Sequence, residues 1–236
     1  MKNIFSLFAF IVLLSVSYVS SAQKVLDKGT VKMEITKVAS EDPQMEMMLG
    51  AMKGSQTELV FNGDKHISTM DMMGGMVKVK VLVNKTDNSM NMLFDAMGNK
   101  SWIESKLDQS QSAQEKEIAS KSVITYDKND SKEILGYKCY KMTVKNPELE
   151  DMTVTGYVTS DIKTKANLIQ GFQSLEFEGY PMEFTVGSKQ FTMTMTAVEV
   201  SDKVDDSKFA IDTKGYKKQT MEEFQKSMGG MGGFGF

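Results

Sequence analysis

The sequence predicts a mainly β (α+β) protein of antiparallel strands with a few short helices. Three observations carry this: apolar and polar residues alternate with a period of two over many short runs, turn residues separate those runs at hairpin spacing, and only two stretches combine helical spacing with a helix-starting cap. The run 132–144, KEILGYKCYKMTV, shows the logic in miniature. Leu135 and Gly136 break it, and then Tyr140, Met142 and Val144 fall on one face while Cys139, Lys141 and Thr143 fall on the other. The first face suits a core and the second suits water.

Gly29 opens the first strand, with Val31, Met33 and Ile35 alternating with Lys32, Glu34 and Thr36. Asp42 and Pro43 read as an N-cap followed by proline at the first helical position, which starts a helix over 43–53 closed by Gly54. Met45, Met48, Leu49 and Met52 form its apolar stripe. Strands follow at 57–61 and 67–72 around the turn 62–65, and Gly74 and Gly75 reverse the chain again. Val77, Val79, Val81 and Val83 then alternate with polar residues; Asp87 and Asn88 turn the chain, and Met90, Met92 and Phe94 repeat the pattern. Successive hairpins of this kind make a meander.

Trp102 and Ile103 end that series, and 104–122, rich in Gln, Ser, Lys and Glu, reads as a surface loop or frayed helix. Strands resume at 123–126, 137–144 and 153–159, whereas 166–175 fits either a short helix or an irregular excursion because Gly171 interrupts its spacing. Met182, Phe184 and Val186 pair across Gly187 and Ser188 with Phe191, Met193 and Met195. Phe209 and Ile211 are expected in a last short strand. Thr220 to Glu223 is a capping box opening a helix that presents Met221, Phe224 and Met228, and the glycine-rich tail 229–236 is expected to be flexible.

Lys2, the apolar run 4–16 and the small residues Ser20, Ser21 and Ala22 have the form of a secretory signal peptide, 1–22, leaving a single domain over 23–228. Gln23 stands where a lipoprotein would carry cysteine, so no lipid anchor is expected. The chain is expected to be exported, to the periplasm where an outer membrane exists and otherwise to the medium. Removing Lys2 from the 28 basic residues leaves 27 against 31 acidic ones, a net of −4 that gives no reason to bind nucleic acid or anionic lipid. All the basic residues are lysine, and without arginine bidentate recognition of phosphate is disfavoured. The single cysteine, Cys139, cannot form an intramolecular disulfide, and nothing around it in sequence activates it.

Candidate chemistry is sparse. His66, the only histidine, sits beside a hairpin turn and reads as a solvated side chain, which leaves no zinc site of several histidines and no triad. Asp127, Asn129, Ser131 and Glu133 alternate as in a calcium loop but lack its glycine, so an acidic hairpin turn is the expectation. With no second histidine, no cysteine paired with histidine and no phosphate loop, neither an enzyme nor a cofactor is expected. The 21 methionines are the compositional anomaly. Met45, Met47, Met48, Met70, Met72, Met73 and Met76 would suit thioether coordination of Cu(I), while most others occupy core-facing strand positions.

With these segments in place, EILGYKCYKMTV and the late FAIDTKGYKK among them, the chain resembles the DUF4412 family of exported bacterial proteins and, more distantly, the LolA-like periplasmic lipoprotein carriers. The resemblance implies a strongly curved antiparallel sheet, a half-barrel, with short helices packed in or across its mouth. It departs from the carriers in lacking an arginine to match the one that holds their helical lid closed. It also implies a groove for an acyl chain or lipidated partner. Candidate lining residues are Met45, Met48, Leu49, Met52, Val79, Val81, Met90, Met92, Phe94, Tyr140, Met142, Phe184, Met193 and Met195. A dry groove of about 300 Å³ would forgo on the order of 7 kcal/mol, comparable to a domain's whole stability, so either the helix 43–53 or an apolar ligand is expected to fill it. A structural module with a fully packed core is the remaining alternative.

Overall fold

A computed structural model describes residues 25–107, 113–147, 151–164, 166, 169 and 175–229. The expected signal peptide, the tail beyond Gly229 and most of 166–175 lie outside the described residues. In chain order the elements are β1 (Lys28–Ser40), α1 (Pro43–Gly50), β2 (Gln56–Asn62), β3 (Lys65–Met72), β4 (Val77–Asn84), β5 (Ser89–Ala96) and β6 (Asn99–Lys106). There follow α2 (Ala113–Lys121), β7 (Val123–Ile134), β8 (Tyr137–Lys145), β9 (Thr153–Thr159), β10 (Tyr180–Gly187), β11 (Phe191–Ser201), β12 (Lys217–Gln219) and α3 (Met221–Gly229). All twelve strands join one open, curved sheet in the order β12-β6-β5-β4-β3-β2-β1-β11-β10-β9-β8-β7. The expectation of an antiparallel sheet holds for every pair but one, since β12 runs parallel to β6.

Directly opposed residues in a ladder share a face, so the registers carry one face across the sheet. Val31, Met33 and Ile35 define what we call the inner face. It passes through Leu59 and Thr57 of β2 to Ser68 and Met70 of β3, Val81 and Val79 of β4, and Met92 and Phe94 of β5. In the other direction it passes through Met195 of β11 to Phe184 of β10, Gly156 of β9 and Met142 of β8. The main core gathers here, from Val31, Met33, Leu59 and Phe61 to Met142, Val154, Met182 and Phe184, with Ala166, Ile169 and Leu175 packed into the same cluster.

The other half of the sheet is covered on its outer face instead. Val60, Ile67 and Leu93 point that way and are buried. Lys208 Nζ bonds both carboxylate oxygens of Glu58 at 2.6 and 2.7 Å, and Lys80 Nζ donates to the Ala210 carbonyl at 2.9 Å. These outer-face side chains draw 202–216 across the strands as a strap. Phe209 and Ile211 therefore do not form the expected strand; the chain becomes a strand only at Lys217, after the crossing. The expected end of the meander at Trp102 and Ile103 moves too, since both sit inside β6.

The helix caps follow the sequence. Asp42 accepts from the N–H groups of Gln44 and Met45, and Thr220 and Glu223 bond reciprocally, each side chain to the other's N–H. Yet α1 ends at Gly50, three residues before the expected stop. Gly54 does not cap it: with φ at 82° it donates to the Ile35 carbonyl and returns the chain to the sheet. The helix packs chiefly on β1, and of its side chains only Leu49 is buried, while Met48 is 52 % exposed. Two turns lying on one strand can bury only a narrow stripe. Leu49→Ser should therefore lower stability by about 2 to 3 kcal/mol, the value of a buried leucine, and Met48→Ser should change it by less than about 0.5 kcal/mol. Paired denaturant melts check both.

Candidate functional site

The registers place Val79, Val81, Met90, Met92, Phe94, Tyr140, Met142, Phe184, Met193 and Met195 on the inner face, and burial then divides them. Met142, Phe184 and Met195 are buried in the main core, where Ala166, Ile169 and Leu175 join them, so they pack rather than line. Phe94 is buried as well. Its ring meets Phe224 of α3 edge-on at 5.1 Å between centroids. Val79, Val81, Met90 and Met92 remain half-exposed, as do Tyr140 and Met193 on the other half of the sheet.

The inner face of β3 to β5 thus forms an apolar floor. Sequence alternation supplies it with Met70, Val77, Val79, Val81, Val83, Met90 and Met92, none of them fully buried. Met70, Val77 and Val83 had not been singled out as lining residues. Their signal was the same period of two, extended by one residue pair in each direction. The floor is bordered on one side by the filled core and on the other by Phe94 under α3. Of the helix candidates, Met45 and Met52 are half-buried, with Met52 against the main core, and Leu49 is buried.

His66 also belongs to this face rather than to a solvated turn. It pairs between Phe61 and Val83, half-buried, and burial first, then the charge of Lys85, pushes its pKa down to about 4. The imidazole is therefore neutral near pH 7. Its place was hidden because the adjoining turn, 62–65, is polar while the strand it opens is not.

Cys139, expected on the water-facing side of β8, is fully buried, and desolvation pushes its thiol up to about 11. The nearby charges of Lys132, Asp161 and Glu183 show that the chain after β9 comes close on that side. A thiol so raised is a poor nucleophile and metal ligand at neutral pH.

The run at 127–133 forms no hairpin turn. It is a bulge inside β7, where the register jumps from Asp127 opposite Lys141 to Ser131 opposite Tyr140. Asp127 accepts from the Asn129 N–H at 2.9 Å. Asp130 takes Lys141 at 2.8 Å and the Tyr157 hydroxyl at 2.9 Å, and these bonds hold its carboxyl below the usual range. Beside it Lys132 bonds Glu183 at 2.7 Å and lies 4.1 Å above the Tyr157 ring. These charges satisfy one another. Among the described residues no group of three His, Cys, Asp or Glu side chains is placed to hold a metal.

The methionines that would suit Cu(I) lie on two elements at one end of the sheet. Met70 and Met72 belong to the inner face, Met72 buried, while Met73 and Met76 sit in the turn after β3 and Met45, Met47 and Met48 on α1. Among the described residues no helix is long and apolar enough to cross a membrane.

No protein-family model matches the chain, so membership of the DUF4412 family is not shown. No curated protein matches it. Among solved structures it is similar to the lipoprotein LppX of Mycobacterium tuberculosis, at 11% identity over 76% of this chain and 89% of that one, with a TM-score of 0.35. It is similar to LprF from Mycobacterium bovis at 12% identity over 78% and 90%, TM-score 0.31. A DUF1329 family protein from Desulfovibrio piger aligns over 84% and 92% at 5% identity, TM-score 0.24.

Proposed function

We propose that the protein is a non-enzymatic, exported binding protein that holds an apolar chain, such as an acyl group, against the inner face of β3 to β5. One observation carries the reading. Seven apolar side chains, Met70, Val77, Val79, Val81, Val83, Met90 and Met92, stand together half-buried beside a core whose other members are buried. Contiguous apolar surface of this kind is costly to leave wet and marks ligand or partner sites. Each side chain that a ligand covers contributes roughly 1.5 to 3 kcal/mol at full burial, less for one already half-covered. Methionine, unbranched and polarisable, can line both the filled and the empty state. The neutral His66 at one end of the floor adds no charge to be desolvated.

The test is titration of the mature protein with a fluorescent fatty acid, alongside solvent extraction and mass spectrometry of what the purified protein carries. Val81→Ser with Met92→Ser should weaken fatty-acid binding by about tenfold or more, equivalent to roughly 1.4 kcal/mol. Both positions are only partly buried, and a thermal melt of the double variant checks that it remains folded at the titration temperature. Unchanged affinity in a folded double variant would exclude the floor as the site.

A further inference from the structure

Every connection that leaves β1, β3 or β5 does so at the same end of the sheet, because the meander is antiparallel. That rim therefore carries α1, the turn 73–76 and the turn 97–98 in succession. Among the described residues four of the eight exposed large hydrophobics, all of them methionine, lie there. Met97 is 78 % exposed and Met47 74 %, and Met48 and Met76 are exposed too. The Met97 N–H donates to the Met76 carbonyl at 2.9 Å, which joins the two turn tips. Just below them on the inner face lie Met72, Val77 and Ala96, so exposed methionine runs into the apolar floor without a polar break.

The backbone makes this placement costly. Met97 and Gly98 both have positive φ, 51° and 89°, the two-residue hairpin turn for which asparagine followed by glycine is the favoured pair. Met73 at φ 54° occupies the same left-handed region. Folding alone would favour Asn at position 97. The charged groups beside the tips also cancel: Asp71 opposes Lys78, Lys78 opposes Asp95, and Asp95 pairs with Lys100 at 3.7 Å.

We infer that this rim inserts its methionines into the surface of a neutral lipid bilayer. The methionines at the tips are exposed and lie on turns, whereas a rigid protein partner would need to offer a matching pocket. Flexible unbranched side chains suit a fluid medium. With the tip charges balanced and Glu41, Asp42 and Glu46 at α1 set against Lys53, the rim carries no net positive charge, which leaves apolar burial, rather than attraction to anionic headgroups, as the driving force. The inference extends the proposed function by placing a source of apolar chains at the mouth of the floor.

Flotation of the mature chain with phosphatidylcholine vesicles tests it, using Met47→Gln, Met76→Gln and Met97→Asn together and Met97→Asn alone. Wild type should float with the vesicles equally at low and high salt. The triple variant should lose at least about tenfold in partitioning, while Met97→Asn alone melts at or above the wild-type temperature. Binding that needs anionic lipid and vanishes in high salt would overturn the inference, as would a folded triple variant that partitions like wild type. A wild type that ignores vesicles but self-associates through the same methionines in gel filtration would overturn it in favour of a second copy of the chain. Fatty-acid titration of the same variants without vesicles keeps the two readings apart, because loss at the rim should leave affinity at the floor unchanged.

Discussion

Gly156→Ala should destabilise the protein by about 3 kcal/mol, the upper part of the usual range for overpacking a close-packed site. Gly156 sits in β9 between Phe184 of β10 and Met142 of β8, on the inner face where the main core is densest. A Cβ added there would collide with the Glu183 carbonyl oxygen and stand 3.1 Å from both Cα and Cβ of Phe184. None of these is the far end of a flexible side chain, so the ladder itself must move. At roughly 2 to 4 °C per kcal/mol for a chain of this size, the melting temperature should fall by about 6 to 12 °C. Gly50→Ala is the control. Nothing lies within 4 Å of a Cβ at that helical position, and the exchange should be neutral or stabilise by up to about 1 kcal/mol. If both variants melt alike, the close approach at Gly156 does not constrain the fold.

Stability should fall as the medium is acidified from about pH 7 to about pH 4, and His66 is the cause. Its folded pKa is lowered to about 4 from an ordinary 6.5. Below pH 6.5 the unfolded chain therefore takes up a proton that the folded chain refuses, and the stabilisation from the neutral, half-buried ring is lost as pH approaches 4. At about 1.4 kcal/mol per unit the loss is at most about 3 kcal/mol, less where solvent reaches the ring. His66→Gln should flatten the denaturation midpoint against pH over this window. A variant that keeps the wild-type slope down to about pH 5 would show that His66 is not the cause; the carboxylates of Asp130, Asp205 and Glu223, held below their ordinary values by hydrogen bonds, lose their contribution only at lower pH.

Much of the sheet was legible in the sequence because a strand half-covered by core has to alternate. Val31, Met33 and Ile35, the four valines of β4, and the hairpin around Gly187 each state their buried face without reference to any neighbour. What stayed hidden depends on contacts between segments distant in sequence. Alternation cannot tell whether an apolar face is filled, so Met142 and Val81 look alike until Ala166, Ile169 and Leu175 are found packed with Met142 in the main core. The strap over the outer face is invisible for the same reason, since what holds it there is long-range: Lys208 on Glu58, Lys80 on the Ala210 carbonyl and the Thr30 hydroxyl on the Lys203 carbonyl among them. Helical spacing likewise overstated α1: Met45, Met48, Leu49 and Met52 sit at the right intervals, but the fold grants the helix a single buried side chain. Met97 gave a weak local signal, as a methionine where a hairpin turn calls for asparagine.

The bulge in β7 bears on what the border of the sheet offers to a second molecule. Among the described residues β7 is the last strand on one side of an open sheet, and the outer edge of such a twelve-residue strand is a row of backbone groups to which a second molecule could add. At Lys128 to Asp130 that row is broken, because the register jump throws these residues out of line, and Lys141 and Tyr157 hold the distortion through Asp130. An incoming strand would find a continuous template on neither side of the break, only two short stretches out of step with each other. A break of this kind, held by the small network on the outer face, is one that hinders strand-by-strand addition at the border of an unclosed sheet.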